Sequence, residues 1–457
     1  MNLTMQILHI ILTMQVAFTQ VRSFNRFGFM IFAILCTAGR HTITSFIFFA
    51  KQDHRDWTKF YRFFSKRKWE PAICFDKLFE IALKEALHES DDVIFALDDF
   101  RVEKTGKTIP HARYQLDPKS PPFCRNLIWG HRYLHATLLI TQKKNGMWHA
   151  ARSMSVRLQL APHIKKPGKN ASEADWQAYE VNKKEYNLCQ YASKMIWALR
   201  GLVNQLGYAH RTIKIVADGG YCNKTIFRSL PRGVDLIVRC RKDAKLCGRS
   251  LEKRKFYDEK KFTPHEIYKD KAIPSKKASM FYGRRTTEMR YKEKSDVYWQ
   301  RGTQKRCLRS IVIHGIKYRK NKNGYTNYRE PMYLLTTDLI ADVELIIQYY
   351  LFRWEIEVAH RELKTDLGIS EAQVWNETSV EKCPQTICIA NSVIKLAHVL
   401  LEKKYGSEDH NYAVPPKWYA NRKRISVAYM RRRLREELID DLDLTMSWKA
   451  LFEKIAA

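Results

Sequence analysis

The residues best placed to do chemistry are two aspartates at strand ends and one carboxylate on a helix. Residues 93–97 form a continuous apolar run that meets Asp98-Asp99, and Thr212-Ile-Lys-Ile-Val-Ala217 repeats the arrangement, meeting Asp218 followed by Gly219-Gly220-Tyr221. Short apolar runs bounded by polar residues read as buried strands. A carboxylate at the C-terminal edge of such a strand lies where α/β folds place ligands and catalysts. One strand-end aspartate is commonly no more than a turn former, so the two gain weight only with a third group. That group comes from a helix predicted over residues 342–367 and stopped by Gly368. On it, Ile347, Leu351, Trp354 and Val358 form an apolar seam expected to face the core. Tyr350, Arg353, Glu357 and Lys364, at spacings of three, four and seven, fall within an arc of roughly 60° beside that seam. There a carboxylate can meet a metal, while Tyr, Arg and Lys grip phosphate. The same spacing also makes Arg353 and Glu357 an ordinary i,i+4 surface pair worth a few tenths of a kcal/mol, and spacing alone leaves both readings open. Glu355 and Glu362 fall on the other flank and are poorer candidates for the same site.

Positioning these groups requires several elements around one core, and 457 residues suffice for two or three domains. The expected organisation is a helical N-terminal DNA-binding region (1–88), a first part of an α/β core (89–238), a basic β-rich insertion (239–335), a last part of the core with the Glu357 helix (336–405) and a basic helical C-terminal region (406–457). Residues 171–206 are helix-prone and supply the crossover that parallel strands need. Asn323-Gly324 is the strongest hairpin signal, flanked by apolar runs at 310–318 and 328–336. In the N-terminal region aromatics alternate with cations, as in Trp57, Phe60, Tyr61, Arg62, Phe63, Phe64, Lys66 and Arg67, which suits DNA-end binding or a plain helical bundle with a solvated face.

Lys and Arg outnumber Asp and Glu by 80 to 48, a formal charge of +32. So large an excess calls for a polyanion, and nucleic acid is the expected partner. Residues 239–330 alone hold 28 Lys or Arg against 10 Asp or Glu, and the tail adds Arg422, Lys423, Arg424, Arg431, Arg432, Arg433 and Arg435. Trp299 is a candidate for stacking on a flipped base or for packing in a sheet. The ten cysteines include no C-x-x-C pair, so reduced thiols are expected, with neither a zinc site nor a disulfide framework. The apolar N-terminus is interrupted by Gln6, Gln15, Gln20 and Arg22, and the run at 27–38 is too short to span a bilayer. A soluble cytoplasmic protein with no membrane partner is the expectation.

The order strand-Asp, strand-Asp-x-Gly-aromatic, then Y-x2-R-x3-E-x6-K on a helix resembles the DDE transposases of bacterial insertion sequences, in the cut-and-paste branch with the Y-R-E-K signature. Tyr350, Arg353, Glu357 and Lys364 match Y, R, E and K, Asp218-Gly219-Gly220-Tyr221 matches the second motif, and Leu97-Asp98-Asp99 matches the first. Phe100 stands where many relatives have Thr, leaving open whether Asp98 or Asp99 is the metal ligand; Asp98, directly after the apolar run, is favoured. The resemblance implies an RNase H-like catalytic core interrupted by the insertion, with Asp98, Asp218 and Glu357 as catalytic metal ligands and Asp99 as the alternative. It further implies a prokaryotic protein acting at the nucleoid, bridging transposon terminal inverted repeats as a homodimer. Excision through a hairpin and strand transfer into target DNA would follow, with Tyr350, Arg353 and Lys364 on the phosphates and further DNA contacts from Trp299, Arg431, Arg432 and Arg433. Converging carboxylates repel one another unless cations neutralise them, and hard oxygen ligands suit two Mg²⁺ ions, or Mn²⁺ in their place. The competing readings are a catalytically inactive or domesticated DNA-binding protein, a metal-dependent nuclease on the same fold and a membrane-surface protein.

Overall fold

The computed structural model describes residues 2–49, 53, 56–66, 68–117, 120–121, 123–144, 146–252, 254–283, 285–319, 325–405 and 425–441. The Asn323-Gly324 turn, Arg67, Arg422, Lys423, Arg424 and the last residues of the tail lie outside them. The chain opens with α1 (Leu3–Thr13), α2 (Val21–Cys36), α3 (Ile43–Phe49), α4 (Thr58–Ser65) and α5 (Pro71–Ile81). Then come β1 (Val93–Glu103), β2 (Arg113–Leu116), β3 (Leu127–Lys144) and β4 (Met147–Leu160). Helices α6 (Glu173–Glu185) and α7 (Leu188–Gln205) cross to β5 (Ile213–Ala217), and α8 (Lys224–Arg228) leads to β6 (Val234–Arg239).

Strands β4-β3-β1-β5-β6 are neighbours in that order. The pairs among β4, β3 and β1 are antiparallel, and those among β1, β5 and β6 are parallel. This is a mixed α/β sheet of the RNase H-like kind. The parallel strands are apolar almost throughout because both faces are covered: all five residues of β5 are buried.

The following segment contains β7 (Leu246–Arg249), β8 (Tyr257–Phe262), α9 (Pro264–Lys269), β9 (Lys276–Tyr282), β10 (Arg285–Val297), α10 (Gln300–Thr303), β11 (Leu308–Ile313), β12 (Lys317–Arg319), β13 (Thr326–Tyr328) and β14 (Met332–Thr336). Rather than standing apart, β14, β11, β10 and β9 continue the core sheet beyond β6, with β14 antiparallel to β6. Lys214 fastens this junction from inside β5. Its ammonium donates to Asp235 on β6 at 2.8 Å and to Asp338 just after β14 at 2.5 Å. Burial opposes the lysine's charge, but the two carboxylates outweigh it and raise its pKa. Asp338 in turn accepts the N–H groups of Ile340 and Ala341.

The chain closes with α11 (Val343–Phe352), α12 (Trp354–Thr365), α13 (Glu377–Tyr405) and α14 (Val427–Asp441). The one continuous helix expected over 342–367 is instead two, pinched at Arg353. Arg353 N–H reaches Tyr350 O at 3.1 Å and Ile356 N–H reaches Arg353 O at 3.1 Å, both one residue tighter than α-helical bonds. The pinch turns the buried face. Ile347 is buried, but Trp354 is 58% exposed, and α12 buries Ile356, Ala359, His360 and Leu363 in place of the expected seam. Gly368, at φ +54°, ends the helix as expected; a Cβ there would come within 2.7 Å of both Glu371 and His41.

Among the described residues α13 is the one helix long and apolar enough to cross a membrane, and 94% of that apolar stretch is buried. It serves as the centre of a helical layer, packed on β4 and surrounded by α1, α2, α5 and α14. The N- and C-terminal helices therefore form one layer. Thr4 bonds Glu437 through both its N–H and its hydroxyl, at 2.8 Å each. All ten cysteines are free thiols.

Replacing Lys214 with Ala leaves the 3%-exposed Asp338 without its counter-charge. We expect a loss of about 3 kcal/mol in urea unfolding, the lower end of the range for a broken buried pair because Asp235 is partly solvated. Adding Asp338→Asn should recover part of it; no recovery would mean that the lysine contributes packing alone.

Candidate active site

Asp98 and Asp218 reach the same sheet edge because of where the parallel ladder ends. The last β1–β5 pair is Leu97↔Ala217, and the next residue on each strand is one of the two aspartates. β5 stops there in a short turn at Gly219–Tyr221, leaving Asp218 exposed. β1 does not stop: it runs on beside β3 to Glu103, so the expectation that the strand ends at Asp98 holds for one of its neighbours only.

Glu357 approaches from α12, and Arg353 connects it to Asp98. Arg353 Nη2 donates to Glu357 Oε1 at 2.7 Å, and Nη1 lies 4.0 Å from Asp98 Oδ2. The guanidinium also stands 5.7 Å from the ring centre of Tyr350, which is buried. Burial raises the Tyr350 pKa, and Asp218 nearby adds to the rise. Burial disfavours the Arg353 charge, yet Tyr350, Glu357 and Asp98 together raise its pKa. Asp98 is pushed up to about 7, by burial first, with Asp99 and Asp218 adding repulsion that the Asp99 N–H and Arg353 only partly offset. One cation thus sits among the carboxylates on which the sequence converged.

Asp99 turns to the opposite face of the sheet, as successive strand residues do. It accepts two bonds from Arg132, at 2.6 and 2.8 Å, and one from the Tyr221 hydroxyl at 3.3 Å. Its oxygens are committed to that pairing, while Asp98 turns Oδ2 toward Arg353 and accepts the Asp99 N–H at Oδ1.

Sequence reasoning missed the support beneath the site. His135 lies opposite Asp98 in the β1–β3 register. Its Nδ1 is 3.1 Å from His360 Nε2, and its Nε2 is 2.9 Å from Ser155 Oγ. Burial lowers both imidazoles, His135 to about 3 and His360 well below its ordinary value. Both rings are neutral, so one donates and the other accepts. Phe100 stacks on His360 with centroids 4.4 Å apart, which gives a reason for the aromatic at this position: it fills the gap between β1 and α12. Deeper in the helix Glu362 pairs with Lys395 of α13 at 2.5 Å, away from Asp98. His360 could have been found three residues beyond Glu357; His135 could not, because its place depends on strand register.

Lys364 is exposed, its ammonium 5.8 Å from the Phe100 ring centre, on the same side as Glu357. Trp299 is half-buried, edge-on to Phe227 at 5.9 Å and lying over Gly302, a packed position. Arg431, expected from the sequence to contact DNA, points inward instead. It is buried and donates to the carbonyls of Leu35, Thr37 and Asp366, tying α14 to α2 and to the end of α12. Arg432 and Arg433 are paired with Glu436, the former from an exposed position.

An α/β sheet that gathers strand-end aspartates beside a helix glutamate, in a chain carrying a charge of +32, has the organisation of a nucleic-acid-cleaving enzyme. The family model described as DDE superfamily endonuclease matches residues 17–306, and the chain belongs to that family. The matched span holds Asp98 and Asp218 and ends before α11 and α12. No curated protein matches the chain. The family is generally dependent on a divalent metal and acts on DNA. Among the described residues no three acidic, cysteine or histidine groups stand close enough to share an ion; Arg353 occupies the space between Asp98 and Glu357. The donors nonetheless fit a hard cation, being carboxylate oxygens without thiolate or imidazole.

A carboxyl raised from 3.8 to about 7 contributes stability that is complete below its unfolded pKa and lost as pH rises through 7. In chelator, Asp98→Asn should therefore raise the melting temperature at pH 8 and leave it nearly unchanged at pH 4. An equal shift at both pH values would show that the substitution acts other than through ionisation. Separately, Arg431→Ala should cost roughly 3–5 kcal/mol by removing a buried charged strut, and Arg432→Ala less than about 1; equal losses in chemical denaturation would contradict this placement.

Proposed function

We propose that the chain is a DDE transposase of the cut-and-paste type, cleaving DNA at transposon ends and joining those ends to target DNA. The observation that carries the reading is the convergence at one sheet edge of Asp98, Asp218 and, through Arg353, Glu357. In this reading Asp98, Asp218 and Glu357 hold the metal, either two Mg²⁺ ions or Mn²⁺. When bound, the metal lowers the cost of forming an oxygen nucleophile and stabilises charge on the leaving oxygen at phosphorus.

The chain's own residues then act around it. Arg353 exchanges its carboxylate partners for a phosphate oxygen of the scissile strand, a bidentate role for which guanidinium geometry is suited. Tyr350, buried with its pKa raised, stays protonated and donates from the floor of the site. Lys364 supplies an exposed charge along the same helix. Asp99 acts as a positioning residue: with Arg132 it fixes the β1 backbone from which Asp98 projects. His360, Phe100 and His135 set the separation of α12 from β1 and exclude water from beneath Asp98. Further DNA contacts come from the basic insertion and from Arg432 and Arg433, with two copies of the chain bridging the two ends.

The test is cleavage and joining of DNA carrying the element's ends. Wild type should yield both cut and strand-transfer products in Mg²⁺. Asp98→Asn, Asp218→Asn and Glu357→Gln should bind DNA yet cut only at background, while Asp99→Asn should retain cutting and lose thermal stability. Cutting without joining would assign a nuclease, binding without cutting a DNA-binding relic, and loss of cutting in Asp99→Asn but not in Asp98→Asn would reverse the two aspartates.

A further inference from the structure

On the face of the sheet turned away from Asp98, the strands place cations against one another in a way that stability does not explain. Arg101 of β1 and Arg132 of β3 are direct cross-strand partners. Directly opposite residues on antiparallel strands share a face with their Cβ atoms about 5 Å apart, and like charges there are destabilising. Arg113 of β2 pairs with Gly130, as does Glu103 of β1, which brings Arg113 to the same face. Gly130 is closely overlaid, since a Cβ there would come 2.2 Å from Val102 O.

The partners of these arginines are unequal. Arg132 is taken up by Asp99, and among the described residues the side chain of Arg113 donates only to the carbonyl of Pro162, at 3.2 Å. The side chain of Arg101 makes no hydrogen bond among the described residues, and its Nε is buried without a partner. Burial and then Arg132 lower the Arg101 pKa, and the same two causes lower that of Arg113. Asp99, and then Asp117, offset part of the charge near Arg101, and Glu103 is solvated at the strand end. A buried donor left unmade costs about 1–3 kcal/mol, so a surface that keeps this one beside a second guanidinium is built for an anion.

We propose that Arg101, Arg113 and Arg132 form a binding site for the phosphodiester backbone of a DNA strand. The inference rests on the reading of the chain as a DNA-cleaving enzyme and names a second place where that DNA is held. Arg132 sits one peptide from Asp98 through Asp99, and Tyr221 joins the same group from the turn after Asp218. A strand crossing the sheet edge at Asp98 and Asp218 passes onto this face, where the guanidiniums replace one another's repulsion with shared phosphate oxygens.

The test is the salt dependence of binding of a short fluorescein-labelled duplex by the full chain. Each neutralised phosphate contributes about 0.9 to the slope of log K against log salt. Arg101→Gln/Arg113→Gln should therefore flatten the slope by about two and weaken binding on the order of tenfold or more at moderate salt. Arg101→Lys/Arg113→Lys should keep most of the slope. Without DNA, Arg101→Gln should melt no lower than wild type, since it relieves a like-charge pair. An unchanged slope in the Gln double variant, or a lower melting temperature for Arg101→Gln with unchanged binding, would make the arginines structural and overturn the proposal. If wild type binds and cuts while these variants behave as it does, this inference alone fails. If wild type binds no duplex, the proposed function fails with it.

Discussion

Everything at the site depends on how negative charge is tolerated at one edge of a sheet. Burial disfavours a charged Asp98, and repulsion from the neighbouring aspartates Asp99 and Asp218 adds to the cost, which is why its pKa is pushed up to about 7. Arg353 offsets part of that cost, reaching both Glu357 and Asp98 from the pinch between α11 and α12. The pinch is therefore part of the electrostatics: it points the guanidinium at the carboxylates while Tyr350 remains buried one turn earlier. Under the proposed function, the enzyme closed on its own cation and the enzyme gripping a phosphate differ by the partners of one side chain.

A second constraint is that this edge must not move. The neutral His135–His360 pair, Phe100 between β1 and α12, and Lys395 beneath Glu362 are internal contacts with no role toward solvent. Together they hold a helix, a strand and the following long helix at fixed separation. The terminal helices extend the same support, because Arg431 crosses from α14 to carbonyls of α2 and of the residue that caps α12. A tail rich in arginine thus contributes at least one of them to architecture, with Arg432 and Arg433 left nearer the surface.

What was legible from the sequence was whatever local pattern encodes. The apolar runs before Asp98 and Asp218, the helical crossover at α6 and α7, and the stop at Gly368 follow from composition and period over a few residues. The stripe of Tyr350, Arg353 and Glu357 was legible for the same reason, since three and four residues bring side chains together on any helix. The apolar seam was not. Carrying a constant 100° per residue past Arg353 misplaced Trp354, because the pinch depends on what the helix packs against. The burial of Arg431 was not legible because charge in a sequence says nothing of the carbonyls waiting for it. His135, Arg132 and Arg101 owe their places to strand register, a long-range property that no short window contains.

The pairing of β14 with β6 has a consequence for how such a protein is assembled and trimmed. β6 carries Leu236, Ile237 and Val238, all fully buried, and its far side is covered by residues 332–336. With the segment between β6 and α11 cut away, β6 would present bare backbone donors and acceptors flanked by aliphatic side chains, the template on which strands from other molecules stack. The large basic segment is thus also a cap on a sticky border. Shortened versions of this chain would be selected for solubility before they were ever selected for the DNA they bind.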